Sequence, residues 1–221
     1  MIGMDADAYT RELANQAIAE GDVTAWFERL YTAAATGDAV VPWDREAPHS
    51  LLAEWAARSA ATGYGRRALV VGAGLGRDAE FVAGLGFDVV AFDISPTAIE
   101  SARRRHPDSA VHYVAADLFD PPVQWRGAFD LVVESMTVQA LPDPPRRSAI
   151  AQVGPFVAPG GTLLVIAAGR DPQTAADGPP WPLTRAEIDG FAEGDLTPGR
   201  IEELRGDSPI FGWRAEFHRP A

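Results

Sequence analysis

The chain has 221 residues, enough to bury a hydrophobic core as a single domain without disulfides or metal ions. It contains no cysteine, which excludes a disulfide framework, a thiolate metal site and a cysteine nucleophile. Its formal net charge of −12 would repel a polyanion over most of the surface, so nucleic acid is not expected as a partner.

No segment carries a membrane or export signal. No apolar run approaches the ~20 residues that cross a bilayer. The N-terminal segment MIGMDADAYTRELANQ has early acids and no apolar core, unlike a signal peptide. The sequence therefore predicts a cytoplasmic protein with no membrane partner, and it leaves the oligomeric state open.

Three helices are predicted before the first strand, over residues 5–20, about 22–37 and 49–60. The second carries an apolar stripe of Trp26, Phe27, Leu30, Tyr31 and Ala34 at helical spacing. Such a stripe favours packing against the main domain, and the alternative is that one of its aromatics lines a substrate pocket. Residues 1–62 are thus expected to form a helical cap on a core of residues 63–221, within one domain.

The stretch from Arg66 to Asp93 has the pattern strand, glycine-rich turn, helix, strand. Residues 68–71 form a continuous apolar run, which is typical of a strand buried on both faces. The turn Gly72-Ala73-Gly74-Leu75-Gly76 follows directly, and glycine suits a backbone that a ligand approaches closely. The second strand ends on Asp93, where a carboxylate can accept hydrogen bonds from a ribose.

The spacing of the glycines discriminates between cofactors. In the dinucleotide fingerprint G-x-G-x-x-G the third glycine would fall on Arg77, whereas here it is Gly76. A G-x-G-x-G loop followed by an acid at the end of the next strand resembles the class I methyltransferases that use S-adenosylmethionine. The resemblance implies an α/β, Rossmann-like fold with a seven-stranded, mostly parallel sheet and a C-terminal antiparallel hairpin.

The rest of the chain has the elements that this fold requires. Ser95-Pro96 begins a helix, and strands are predicted over 111–116, 129–133 and 162–168. A helix over 144–157 precedes the last of these strands. A Pro-, Gly- and Asp-rich loop over 171–182 contains Trp181, which could gate a substrate site. The chain closes with a helix over 185–192 and with hairpin strands over 196–205 and 212–218.

The family resemblance assigns roles to residues at the strand ends. It implies that Asp117 accepts from the adenine amino group, and that Leu118 and Ile94 pack on the two faces of the ring. Glu134 ends the fourth strand and is expected near the methionine part of the cofactor or near the substrate. Nucleic-acid amino-methylating relatives carry Asn or Asp, Pro-Pro and an aromatic here, so the actual Glu134-Ser135-Met136-Thr137 argues against methylation of bases.

A second resemblance concerns the segment before the core. Pro42-Trp43-Asp44, followed by a Leu-Leu-rich helix, is similar to the thiopurine- and halide-methyltransferase-like enzymes. In those enzymes an N-terminal tryptophan segment folds over the cofactor. The resemblance implies that Trp43 covers the cofactor, and plain core packing is the alternative.

Taken together, the sequence predicts an S-adenosylmethionine-dependent methyltransferase that acts on a small molecule. Methyl transfer from a sulfonium needs a general base only when the acceptor must lose a proton. No catalytic residue is assigned, because none of the four histidines is placed convincingly. A nicotinamide-dependent reductase and a non-catalytic cofactor-binding protein remain the alternatives, and a thiol, hydroxyl, amine or halide acceptor stays open.

Overall fold

The computed structural model describes residues 5–176 and 178–221, which form one seven-stranded sheet with helices on both faces. The helices are α1 (Ala6–Glu20), α2 (Ala25–Thr36), α3 (Ser50–Ser59), α4 (Arg77–Gly84), α5 (Pro96–Arg105), α6 (Pro145–Val153) and α7 (Arg185–Asp189). The strands are β1 (Arg67–Val71), β2 (Asp88–Asp93), β3 (His112–Ala115), β4 (Phe129–Ser135), β5 (Val157–Arg170), β6 (Thr197–Leu204) and β7 (Ile210–His218).

The strand order is β3-β2-β1-β4-β5-β7-β6. Strands β1 to β5 run parallel to one another, and β7 runs antiparallel to its neighbours β5 and β6. The predicted fold class is therefore confirmed. Val71 of β1 lies beside Phe92 of β2 and Glu134 of β4, so these three strands end together at one edge of the sheet. Ligands bind at this edge in open α/β sheets.

The central strands are apolar because helices cover both of their faces. On one face, Leu52 of α3, Val82 of α4 and Ile99 of α5 pack against β1 and β2 in one buried cluster. On the other face, Ile150 of α6 and Ile188 of α7 pack in a second cluster. The hydrophobic core is therefore two-sided, as the continuous apolar run of β1 predicts.

Two predicted boundaries differ most from the structure. The helix expected over 144–157 ends at Val153, and a 3₁₀ turn containing Pro155 follows, which has no N–H to continue an α-helix. The strand expected from Thr162 begins at Val157 instead. Its Pro-Gly-Gly segment, with Gly160 at a φ of +75°, stays paired in the sheet because Arg219, near the C-terminus, exchanges backbone hydrogen bonds with Gly160 and Gly161.

Helices α1 and α2 lie across the ligand edge of the sheet, whereas α3 packs on the sheet face. Trp26 and Leu30 of α2 form a buried cluster with Ala14 and Ala17 of α1. Glu28 of α2 accepts hydrogen bonds from Ser95 and Thr97, which fastens α2 to the first turn of α5. None of the described helices is both long and apolar enough to cross a membrane.

Candidate functional site

A cavity of about 570 Å³ opens between the ligand edge of the sheet and the two cap helices. This volume lies within the ~300–1,000 Å³ of typical small-molecule sites. Seven of the nine site residues expected from the sequence line it: Trp43, Gly72, Gly74, Asp93, Ile94, Asp117 and Leu118. Gly76 and Glu134 do not. The structure thus gathers most of the predicted site, and contact with a cofactor stays a prediction.

Gly74 is the glycine that faces the cap. Its φ of +51° lies in the left-handed region, which other residues rarely adopt. A Cβ atom there would lie 2.9 Å from the Tyr31 hydroxyl and 3.8 Å from Trp43 Nε1. The backbone of the loop and the cap therefore approach each other so closely at this point that no side chain fits.

The other two glycines serve the packing of the loop itself. A Cβ atom on Gly72 would clash with the side chain of Thr137, which donates a 3.0 Å hydrogen bond to the Val71 carbonyl. A Cβ atom on Gly76 would clash with the Tyr113 ring. Gly76 precedes α4 outside the cavity wall. Gly72 and Gly74 therefore both line the cavity, and close packing also requires glycine at Gly72 and at Gly76.

Asp93 ties the end of β2 to the glycine loop. Its side chain is buried, and its two oxygens accept hydrogen bonds from Gly74 N–H at 2.8 Å and from Ser95 N–H at 3.0 Å. Burial raises the pKa of Asp93 to about 6, against the effect of these hydrogen bonds. Each carboxylate oxygen can accept more than one hydrogen bond, so Asp93 still has capacity for a ribose hydroxyl.

The ends of β2 and β3 form the next part of the wall. Ile94, Asp117 and Leu118 all line the cavity. Asp117 Oδ1 accepts a 2.8 Å hydrogen bond from Phe119 N–H, which fixes the orientation of the carboxylate. Two apolar side chains with one oriented acid suit a flat ring that carries an amino group, as the adenine assignment requires.

Glu134 lies beneath the cavity rather than in its wall. Its side chain is fully buried, and Oε1 accepts hydrogen bonds from Thr137 N–H at 2.8 Å and Val138 N–H at 2.9 Å. Burial raises the pKa of Glu134 to about 7. The structure therefore shows this carboxylate holding the turn after β4, where the sequence predicted a residue facing the ligand.

Trp43 lies over the glycine loop together with Tyr31 of α2. The Trp43 Nε1–H donates a 2.8 Å hydrogen bond to the Tyr31 hydroxyl, and the two rings meet edge to face at 6.1 Å. Trp26 contacts the same indole at 6.0 Å. Burial raises the pKa of Tyr31 well above its usual value, so the phenol stays neutral and keeps its proton.

Polar contacts hold the segment around Trp43 against the core. Asp44 makes a bidentate ion pair with Arg105 at the end of α5, with both N–O distances 2.7 Å. Arg77 Nε donates a 3.0 Å hydrogen bond to the Arg45 carbonyl. These contacts are partly exposed and therefore individually weak.

The structure adds site residues that the sequence did not identify. Arg11 of α1, Met136 and Gln139 after β4, and Pro179 and Pro180 of the long loop also line the cavity. Trp26, Phe27 and Tyr31 line it as well, so the stripe of α2 packs and also faces the pocket. Trp181, expected as a gate, is not in the wall. Its backbone N–H donates a 2.7 Å hydrogen bond to the Gln139 carbonyl.

The cavity wall, as far as the described residues define it, contains no histidine, and the chain has no lysine. His49 caps α3, where its Nδ1 accepts from Leu51 N–H at 3.2 Å, and burial lowers its pKa. No group of three or more His, Asp or Glu among residues 5–176 and 178–221 could hold a metal ion. Carboxylates do line the cavity, among them Asp7, Asp44 and Asp78, so the site offers acidic side chains besides surfaces for binding and alignment.

Comparison with known proteins finds similarity to methyltransferases in the central part of the chain. Residues 68–161 match the family model described as a methyltransferase domain. The chain is 29% identical over 141 residues to the ubiquinone biosynthesis O-methyltransferase of Bordetella avium, covering 60% of this chain and 58% of that protein. The chain therefore spans less than two thirds of this relative's length.

Solved structures share the fold across most of the chain. The N-methyltransferase NodS from Bradyrhizobium japonicum, in complex with S-adenosyl-L-homocysteine, superposes with a TM-score of 0.64 at 22% identity, covering 88% of this chain and 97% of NodS. The [4+2]-cyclase SpnF superposes with a TM-score of 0.67 at 14% identity, covering 96% of each chain. At these identities the likeness concerns the fold.

Proposed function

We propose that this protein, whose residues 68–161 form a methyltransferase domain of class I fold, transfers a methyl group from S-adenosylmethionine to a small-molecule acceptor. The observation that carries the proposal is the convergence of Gly74, Asp93 and Trp43 on one cavity. The match to the methyltransferase-domain model and the O-methyltransferase relative support it.

The residues present fit this cofactor. Asp93 has acceptor capacity for ribose hydroxyls, and Ile94, Asp117 and Leu118 would hold the adenine ring. The glycine loop and the turn after β4 would hold the methionine part. S-adenosylmethionine supplies an activated methyl group when it is bound.

The contribution of the chain to the reaction is alignment and the exclusion of water. Tyr31 and Trp43 close the cavity above Gly74, and Phe27 and Met136 make other parts of its wall apolar. Holding an acceptor in line with the methyl group can lower the barrier without proton transfer. We propose alignment as the main contribution, with carboxylates of the wall, such as Asp93 with its raised pKa, as the groups that can take a proton where the acceptor must lose one.

Two finer assignments are proposals from the sequence. The thiopurine- and halide-methyltransferase-like subtype rests on the Trp43 segment, and its support is the position of Trp43 over the glycine loop. Cytoplasmic localisation is likewise proposed from the sequence alone.

Calorimetric titration tests the proposed cofactor. We expect S-adenosylhomocysteine to bind at one site, and NADH and NADPH to give no heat of binding under the same conditions. Binding of a nicotinamide cofactor without binding of S-adenosylhomocysteine would establish the reductase alternative instead.

Transfer of a labelled methyl group tests catalysis separately from binding. The cyclase SpnF has the same fold, so binding of S-adenosylhomocysteine alone is compatible with another activity. We expect label from S-adenosylmethionine to appear in small-molecule products when extracts are supplied as acceptors. Tight cofactor binding with no label transfer to any acceptor fraction would favour a non-catalytic or non-methylating protein.

A further inference from the structure

Gln139 is a buried polar residue in the wall of the cavity. It lies in the 3₁₀ turn Val138–Ala140, directly after β4 reaches the ligand edge, and only 1% of its surface is exposed. Most of its neighbours in the wall are apolar, with Ser135 and Thr137 as the polar exceptions from the same segment: Met136, Ala140 and Leu141, and Pro179 and Pro180 from the long loop. A polar side chain in such a place needs partners for its amide group.

Hydrogen bonding fixes which way the amide of Gln139 faces. Its Oε1 accepts a 2.6 Å hydrogen bond from the backbone N–H of Ala168 on β5. A peptide N–H can only donate, so the oxygen, and not the nitrogen, must face β5. The side-chain NH₂ group is therefore directed away from Ala168.

The NH₂ group of Gln139 remains available. Within residues 5–176 and 178–221 it has no hydrogen-bond acceptor. Since the Ala168 N–H engages the oxygen and Gln139 borders the cavity, the nitrogen is the side-chain polar atom that a ligand in the cavity could reach.

The backbone around Gln139 is held from three sides. The Gln139 carbonyl accepts from Trp181 N–H at 2.7 Å, Glu134 Oε1 holds the preceding N–H groups, and Met136 N–H donates to the Ile166 carbonyl at 2.8 Å. Met136 itself has a φ of +63°, a conformation that persists only where the surroundings enforce it. The amide donor is therefore preorganised before any ligand arrives.

We infer that Gln139 orients the methyl acceptor by donating a hydrogen bond from its side-chain NH₂ to a carbonyl or hydroxyl oxygen of an otherwise apolar ring compound. This inference rests on the proposed function, because it places the acceptor next to the cofactor in the same cavity. A neutral amide donor in an apolar wall selects a neutral oxygen, and an oxygen-free analogue leaves the donor unpaired. Gln139 is thus a specificity-determining residue of the acceptor site.

The test compares matched ring compounds on the protein loaded with S-adenosylhomocysteine. The probes are 1-tetralone, which has a ring carbonyl, and tetralin, which lacks it, with binding measured by ligand-observed NMR. We expect wild-type protein to bind 1-tetralone about tenfold more tightly than tetralin, the upper range for one neutral hydrogen bond. Equal affinities, or no binding of either probe at millimolar concentration, would overturn the inference.

Two variants assign the preference to Gln139. Gln139→Leu removes the donor, and we expect the two probes to bind equally. Gln139→Glu keeps an oxygen for the Ala168 N–H but replaces the NH₂ group. The preference for 1-tetralone should therefore fall, while the melting temperature stays closer to wild type than that of Gln139→Leu. Gln124→Glu, in an exposed 3₁₀ turn outside the cavity wall, is the matched control and should keep the full preference.

The affinity for S-adenosylhomocysteine is measured separately from the affinity for the ring compounds. S-adenosylhomocysteine affinity should stay within about twofold of wild type in all three variants, well under the tenfold that 1.4 kcal/mol represents. If wild-type protein does not bind S-adenosylhomocysteine, the proposed function is contradicted. A preference for 1-tetralone that survives in Gln139→Leu would remove only the role of Gln139.

Discussion

The two sides of the cavity are built in different ways. The sheet side comes from short, local segments: the loop after β1 and the ends of β2 and β3 supply Gly74, Asp93 and Asp117. The opposite side, made of the cap and the loops that complete it and called the cap side here, is assembled from segments far apart in the chain: Tyr31, Trp43, Gln139 and Pro179 meet only in the folded protein. The sheet side is therefore held by backbone geometry, and the cap side by packing and isolated hydrogen bonds.

The difference suggests a division of labour. A cofactor shared by a large family can be recognised by a fixed backbone motif, since its chemistry does not change. An acceptor differs from enzyme to enzyme, and the aromatics and single polar groups of the cap can vary without disturbing the sheet. Changes on the sheet side should abolish cofactor binding, and changes on the cap side should alter alignment and selectivity.

The largest effect is expected at the glycine where the two sides meet. Gly74→Val should abolish S-adenosylhomocysteine binding in calorimetry, because φ is +51° and a Cβ would already lie 2.9 Å from the Tyr31 hydroxyl. Gly206→Val, where nothing lies within 4 Å, is the control and should bind normally. Normal binding by a folded Gly74→Val protein would mean that the loop backbone does not contact the cofactor.

The next prediction concerns the buried carboxyl group beneath the cavity. Burial raises the pKa of Glu134 to about 7 in the folded protein, above the 4.5 of an unperturbed glutamate, so the folded state keeps the proton to higher pH. The free energy of unfolding should therefore fall by about 2–4 kcal/mol as pH rises from about 4.5 to 7, at 1.36 kcal/mol per pKa unit. Burial of Asp93, with its pKa of about 6, acts in the same direction over a lower pH range.

Glu134→Gln isolates this contribution. An amide oxygen can accept the same hydrogen bonds from Thr137 and Val138 without becoming charged. Denaturant unfolding at several pH values should show a flatter pH dependence and higher stability above pH 7. The exposed Glu46→Gln variant should keep the wild-type slope. A Glu134→Gln protein with the full wild-type slope would show that this carboxyl group does not titrate with a raised pKa.

A substitution at Asp93 should affect the sheet side less than Gly74→Val does. Asp93→Ala should weaken S-adenosylhomocysteine binding by about 1.5–3 kcal/mol, the usual size of a hydrogen bond to a charged group. The loss includes both the ribose contact and the 2.8 Å bond that positions Gly74. Asp120→Ala, an exposed acid near the end of β3, serves as the control in the same titration. Unchanged affinity in a folded variant would remove Asp93 from the site.

Trp43 tests the cap side. Trp43→Ala removes the bond to Tyr31 and the contact with Trp26, so turnover should fall about tenfold, or ~1.4 kcal/mol in barrier. The free energy of unfolding should change by less, because Trp43 is only half-buried. Tyr64→Ala, at a side chain that is 93% exposed, should leave both quantities unchanged. Equal losses of stability and turnover would make Trp43 a packing residue only.

The sheet side could be predicted from sequence because its signals are local. The run of residues 68–71, the three glycines and Asp93 are contiguous, and their spacing alone places them at a strand end. Ser95-Pro96 likewise marked the first turn of α5 correctly. In these segments local geometry and tertiary structure agree, which is when sequence patterns are most reliable.

The cap side could be predicted only in part. Tyr31 was recognised as part of an apolar stripe, but its position above Gly74 depends on how α2 packs across the sheet edge. Gln139 carried no sequence signal, because its role depends on the Ala168 N–H of another strand. Glu134 was expected to face the ligand, and its side chain turns inward because the backbone N–H groups of Thr137 and Val138 offer it partners.

Hydrogen exchange with and without S-adenosylhomocysteine tests most directly whether the two sides close on one cofactor. Amides of residues 72–76 in the glycine loop and of residues 38–50 around Trp43 should both exchange more slowly when the ligand is added. The exposed residues 205–209, between β6 and β7, should not respond. Protection of residues 72–76 with no change over 38–50 would contradict closure of the cap, and no protection in either segment would contradict the cofactor site itself.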